Sequence, residues 1–150
     1  MQLVSDLEQW QQHRAEVGGS VGFVPTMGAL HEGHLSLLRR SVAENETTVL
    51  SIFVNATQFN NNADLENYPT SIEEDRKLAQ SVGVDWVLMP DYSQMYPDDF
   101  RFQVREEVFS RDLCGSDRPG HFTGVLTVVL KLLNLVRPEK AYFGLKDYQQ

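Results

Sequence analysis

The chain alternates short apolar runs with amphipathic stretches. Val21-Gly22-Phe23-Val24 is apolar and ends at Pro25, which predicts a strand over residues 20–24. Leu35, Leu37 and Leu38 follow at helical spacing and predict a helix from His34 to about Asn45. The run from Thr47 to Asn55 is rich in β-branched and aromatic residues, as expected for a strand buried on both faces. Upstream, Ser5-x-x-Glu8 reads as a capping box for a helix to about Val17, stopped by Gly18-Gly19. Residues 56–70 read as a polar loop. Ser71-x-x-Glu74 opens another helix, with Gly83 at its C′ position. Trp86 to Met89 is the next expected strand, stopped by Pro90. Residues 91–122 read as irregular, with a short strand at Phe102 to Val104. Thr123 to Val136 predicts a helix buried over much of its surface, Ala141 to Phe143 a last strand, and Lys146 the start of a further helix.

Strands alternating with helices predict an α/β fold, a doubly wound parallel sheet with helices on both faces. Ligands of such sheets bind beyond the carboxyl ends of the strands. Three polar clusters fall at those ends: Met27 to His34, Asn55 to Gln58, and Gly144 to Asp147. Their convergence on one crevice is the main structural expectation.

Composition narrows the partners. Thirteen Lys and Arg against 21 Asp and Glu give a net charge of −8, which argues against a general binder of nucleic acid or anionic membranes. A polyanion site must therefore be local, built from a few cations and backbone N–H groups. The single Cys114 excludes an internal disulfide and a cysteine metal cluster, and it fits a reducing cytoplasm. The polar N-terminus carries no signal-peptide pattern, and no apolar run is long enough to span a bilayer.

The first polar cluster carries the most chemistry. Met27-Gly28-Ala29-Leu30-His31-Glu32-Gly33-His34 joins a strand to a helix. A helix N-terminus has unpaired N–H groups and a partial positive charge, so it attracts anions. Gly28 and Gly33 let a ligand approach the backbone, and two imidazoles three residues apart can share one helix face. These parts suit a nucleoside triphosphate; a polar turn with two surface histidines is the plain alternative. Lys146 can neutralise a phosphate, and Asp147 can cap a helix or meet a ribose or metal. Asn55, Gln58, Gln149 and Gln150 offer neutral amides for a carboxylate or hydroxyl, or serve as loop polarity. Arg118-Pro119-Gly120-His121-Phe122 is a turn bearing a cation and an imidazole. Glu73, Glu74 and Asp75 could hold magnesium, although an acidic first helical turn is expected from the helix dipole alone. Phe59, Tyr68 and Tyr96 read as packing residues.

Taken in order, Phe23-Val24-Pro25-Thr26-Met27-Gly28-Ala29-Leu30-His31-Glu32-Gly33-His34, Ser51 to Asn55 with Gln58-Phe59, Tyr68-Pro69, Met95-Tyr96-Pro97, Arg118 to Val125, and Phe143-Gly144 with Lys146 to Gln150 resemble the pantothenate synthetase (pantoate–β-alanine ligase) family. The resemblance covers the whole chain. It implies a Rossmann-like domain of the His-x-Gly-His nucleotidyltransferase type. It implies ATP with Mg²⁺, adenylation of (R)-pantoate with release of pyrophosphate, and capture of the pantoyl adenylate by β-alanine with release of AMP. Met27, Gly28, Ala29, Leu30, His31, Glu32, Gly33 and His34 would bind ATP, with His34 the catalytic acid; Gly144, Leu145, Lys146 and Asp147 would also bind it. Gln58 would contact pantoate and β-alanine, and Gln150 pantoate; no protein metal ligand is implied. Ala56, Thr57, Thr70, Cys114 and Leu145 depart from the residues usual there. Residues 1–150 would be the nucleotide- and pantoate-binding N-terminal domain. The family's closing C-terminal domain would be absent, leaving this piece inactive alone, and the full-length enzyme would be a cytoplasmic homodimer. Another nucleotidyltransferase, or a non-catalytic ligand sensor, are the competing readings.

Overall fold

The computed structural model describes residues 1–149, and these form a five-stranded, all-parallel sheet. Its strands are β1 (Gln2–Val4), β2 (Val21–Thr26), β3 (Thr47–Ile52), β4 (Trp86–Leu88) and β5 (Lys140–Ala141), in the spatial order β1-β4-β3-β2-β5. The helices are α1 (Leu7–Glu16), α2 (Glu32–Glu44), α3 (Asn62–Glu66), α4 (Ile72–Ser81), α5 (Tyr92–Met95), α6 (Cys114–Asp117) and α7 (His121–Val136). Two apolar layers cover the sheet. One packs Trp10 of α1 and Val128, Leu132 and Val136 of α7 against Phe23 and Val49. The other packs Leu35 and Leu38 of α2 and Ala79 of α4 against Val24 and Leu50. Alternate residues of one strand thus enter opposite cores, which is why β2 and β3 lack a polar face. This is the expected doubly wound α/β arrangement.

The chain runs outward from β2 through β3 to β4, then returns to add β5 on the other side of β2. That reversal makes the carboxyl end of β2 a topological switch point, where open parallel sheets bind ligands.

Several boundaries differ from expectation. Asp6, not Ser5, caps α1: its carboxylate accepts from the Gln9 N–H at 2.8 Å. Helix α2 starts at Glu32, two residues earlier than the leucine spacing indicated. Strand β2 runs through Pro25 to Thr26. The missing Pro25 N–H faces the side on which β5 pairs only with Gly22 and Phe23, so no ladder bond is lost. No strand forms at Phe102 to Val104. Phe102 is 69% exposed, and the Phe102 and Val104 N–H groups donate to the side chains of Asp98 and Thr127 instead. Lys146 opens no α-helix; Leu145–Asp147 is a single 3-10 turn. Strand β1 and helices α3, α5 and α6 were not anticipated, being too short to show a period.

Candidate active site

The three polar clusters do converge. A cleft of about 740 Å³ lies beyond the carboxyl ends of β2, β3 and β5. It is bordered by Met27, Ala29, His31, Gly33 and His34, by Asn55 and Gln58, and by Gly144 to Asp147. Val125, Val128 and Leu132 of α7 and Tyr142-Phe143 give it an apolar wall. Three residues of the first cluster do not border it. Leu30 is buried in the α2–α4 core, Glu32 is ion-paired with Arg39, and Gly28 shapes the turn behind it.

The start of α2 explains the histidine spacing. His31 is the N-cap and His34 the third helical residue. His31 Nδ1 accepts from the Gly33 N–H at 3.1 Å, and His34 Nδ1 accepts from the His31 N–H at 3.4 Å. The imidazoles thus do the work that Ser and Glu do in an ordinary capping box. Nδ1 can accept only if the neutral ring carries its proton on Nε2. Both rings therefore present Nε2–H donors, 4.1 Å apart by ring centroid, at the positive end of a 13-residue helix. Burial pushes the His34 pKa below its ordinary value, and the neighbouring His31 and Lys146 push it the same way; Asp75 and Asp147 oppose them.

Asp75 holds the turn that precedes this cap. Its carboxylate, 2% exposed, accepts from the Ala29 N–H at 2.9 Å and the Leu30 N–H at 2.6 Å. These amides are turned toward it because Gly28 and Ala29 both adopt positive φ, +85° and +51°. A Cβ at Gly28 would stand 3.0 Å from Asp75 Oδ2. Its acidic position in the first turn of α4 looks the same as Glu73 and Glu74 in sequence, so nothing distinguished it there. Among the described residues, no three His, Cys, Asp or Glu side chains come together as a metal cluster.

The second cluster is a built network. Asn55 is 1% exposed. Its Nδ2 donates to the Gly124 carbonyl at 3.2 Å and to Gln58 Oε1 at 3.0 Å, while its Oδ1 accepts from Tyr96 Oη at 2.8 Å and Thr57 Oγ1 at 2.9 Å. A carbonyl can only accept, so it fixes the Asn55 amide, which in turn fixes that of Gln58. The Gln58 amide therefore turns its NH₂ toward the cleft, where Met27 Sδ at 3.3 Å is its only side-chain partner among the described residues. Asn55 is a structural hub rather than an open ligand, and Tyr96 is a buried member of the same network. Thr57, one of the departures noted above, supplies one of its bonds.

Helix α7 packs tightly on this turn. A Cβ at Gly124 would stand 2.6 Å from the Thr57 carbonyl oxygen and 2.8 Å from Gln58 Cα. Gly124→Ala is therefore expected to push residues 55–58 away from α7 and to destabilise the fold by about 1–3 kcal/mol. Denaturant unfolding checks this, with an unchanged midpoint counting against the tight fit. His121 fixes the same turn from the other side, its Nδ1 lying 2.9 Å from the Gln58 carbonyl oxygen. Lys146 and Asp147 sit across the cleft, ion-paired at 2.7 Å, the lysine largely exposed and the aspartate partly buried, and Leu145 is 82% exposed. The expected site residue Gln150 lies outside the described residues.

The arrangement offers a positive helix end, two imidazole donors, a lysine, an oriented amide and an apolar wall. That set suits a polyphosphate beside an organic carboxylate. Known proteins are similar to this chain over its whole length. The pantothenate synthetase of Thermotoga neapolitana is 52% identical over 150 residues, covering 100% of this chain and 54% of the relative. That of Bdellovibrio bacteriovorus is 51% identical over 149 residues, covering 99% and 59%. A Francisella tularensis pantoate–β-alanine ligase solved with βγ-ATP and β-alanine superposes with a TM-score of 0.98 at 42% identity, covering 100% of this chain and 59% of that one. A Thermus thermophilus pantothenate synthetase gives 0.92 at 46% identity, covering 99% and 54%. The chain thus spans a little over half the length of these relatives, and its fold is the Rossmann-like nucleotidyltransferase type. The family model described as pantoate-beta-alanine ligase matches residues 1–150, and the chain belongs to that family.

Proposed function

We propose that residues 1–150 form the nucleotide- and pantoate-binding domain of an ATP-dependent ligase joining (R)-pantoate to β-alanine. The pantoate carboxylate attacks the α-phosphorus of ATP, pyrophosphate leaves, and the β-alanine amine then displaces AMP from the pantoyl adenylate. The observation that carries this reading is the convergence of the α2 N-terminus, its two Nε2–H donors and the oriented Gln58 amide on one cleft. His31, His34 and the α2 amides would hold the phosphates, and His34 would stabilise charge growing on them. The stretch from Met27 to His34 and that from Gly144 to Asp147 would frame ATP, with Lys146 as a mobile counter-charge. Gln58 would donate to pantoate and later to β-alanine, with Gln150 a second pantoate contact. Magnesium would arrive on the phosphates, which needs few protein ligands. Exposed Phe102, Val108, Phe109 and Leu113 support self-association as a homodimer. The free, exposed Cys114 fits a reducing, cytoplasmic setting.

The test is Gln58→Ala. With the amide gone, pantoate should bind about tenfold more weakly, a loss on the order of 1.4 kcal/mol, while ATP binding changes little. Calorimetric titration with each ligand separates the two. Equal losses for both, or none for pantoate, would remove Gln58 from the pantoate subsite.

A further inference from the structure

The second half-reaction has a proton problem. β-Alanine is a zwitterion at neutral pH, and its ammonium has no electron pair with which to attack. The cleft needs a group that accepts a proton, placed near Gln58.

Most titratable groups bordering the cleft are committed otherwise. His31 and His34 use Nδ1 to accept backbone N–H groups, so their Nε2 atoms carry hydrogen. Asp147 is paired with Lys146. His121 has the opposite tautomer. Its Nδ1 faces the Gln58 carbonyl at 2.9 Å, and a carbonyl can only accept. Nδ1 therefore carries the hydrogen, and in the neutral ring Nε2 is a lone pair with no hydrogen-bond partner among the described residues. The ring is 5% exposed and sits between two spaces. One is the cleft. The other is an open polar cavity of about 620 Å³, bordered by Asn60, Arg105, Glu106, Glu107 and Arg111. Arg118, three residues earlier, also borders the cleft and forms no ion pair among the described residues, so it can receive a carboxylate.

We propose that His121 is the general base of the amide-forming step, taking the proton of the β-alanine ammonium on Nε2. The proposal rests on the ligase reading above. The freed nitrogen pair attacks the acyl carbon and the C–N bond forms. The C–O bond to the adenylate phosphate then breaks, and its electron pair leaves with AMP. The second nitrogen proton departs with the AMP phosphate. The proton on Nε2 passes to water in the polar cavity, returning the ring to its starting tautomer.

His121→Asn keeps an N–H near the Nδ1 position and removes the basic nitrogen. In the full-length polypeptide carrying this domain, pantoate-dependent ATP–pyrophosphate exchange should stay within about threefold of the parent, while pantothenate formation from β-alanine falls by about a hundredfold or more. Hydroxylamine, an amine that is unprotonated at neutral pH, should capture the adenylate at nearly the parental rate. A parental exchange rate with unimpaired pantothenate formation overturns the proposal. So does a hydroxylamine reaction slowed as much as that of β-alanine. Loss of exchange together with pantothenate formation would assign His121 to holding Gln58 instead and equally overturns it. Absence of exchange in the parent would remove the ligase reading itself, a separate outcome. Nitrogen NMR of the 150-residue chain checks the premise: neutral His121 should carry its proton on Nδ1, and His31 and His34 on Nε2. A proton on Nε2 of neutral His121 would overturn the base role.

Discussion

His34→Ala is expected to slow pantoyl adenylate formation by roughly a hundredfold to a thousandfold, about 3–4 kcal/mol of transition-state stabilisation. The donor lost is fixed in place by its own helix, since the His31 N–H holds Nδ1 and leaves Nε2–H directed outward. Such a donor needs no reorganisation when charge grows on the phosphates. Burial and the adjacent His31 and Lys146 keep the free ring neutral to below its ordinary pKa. An adenylation rate within about threefold of the parent in His34→Ala would exclude the role.

Asp75→Asn is expected to destabilise the chain by roughly 3 kcal/mol, because hydrogen bonds to charged groups contribute about 1.5–3 kcal/mol each and the carboxylate accepts two. An amide can accept only one of these N–H groups well, and it turns its own NH₂ toward the other. The left-handed turn at Gly28-Ala29 should relax, so ATP binding weakens with stability. Urea unfolding of the chain measures the first effect. Glu74→Gln, one residue earlier in the same helical turn and exposed, should change stability by less than about 0.5 kcal/mol. Equal midpoints for the two variants would show that Asp75 acts only through the helix dipole.

Much of the architecture was legible along the chain. The apolar runs at 21–24, 47–52 and 86–88 each feed two opposite cores, which leaves a clear run of hydrophobic residues in one dimension. The boundaries were less legible where a partner strand decides them. Pro25 reads as a strand breaker, yet it is tolerated because β5 has already ended on that side. Phe102 to Val104 reads as strand, yet no neighbour offers it a ladder, and side chains of Asp98 and Thr127 take its N–H groups.

The same division holds at the site. The sequence alone determined the His-x-Gly-His turn, the polar residues at three strand ends and, through a parallel sheet, their meeting in one cleft. Those follow from local periodicity and chain direction, which are written in adjacent residues. Only the tertiary structure decided what each polar group does there. Asp75 and Glu74 are neighbours of the same charge, but one is buried against two backbone amides and the other is solvated. Asn55 and Gln58 are both amides, but the Gly124 carbonyl, 69 residues away, commits Asn55 and leaves the Gln58 NH₂ facing the cleft. Three cleft histidines carry the same side chain. Whether each offers a hydrogen or a lone pair is set by the backbone group that its other nitrogen meets, and that meeting exists only after the chain has folded.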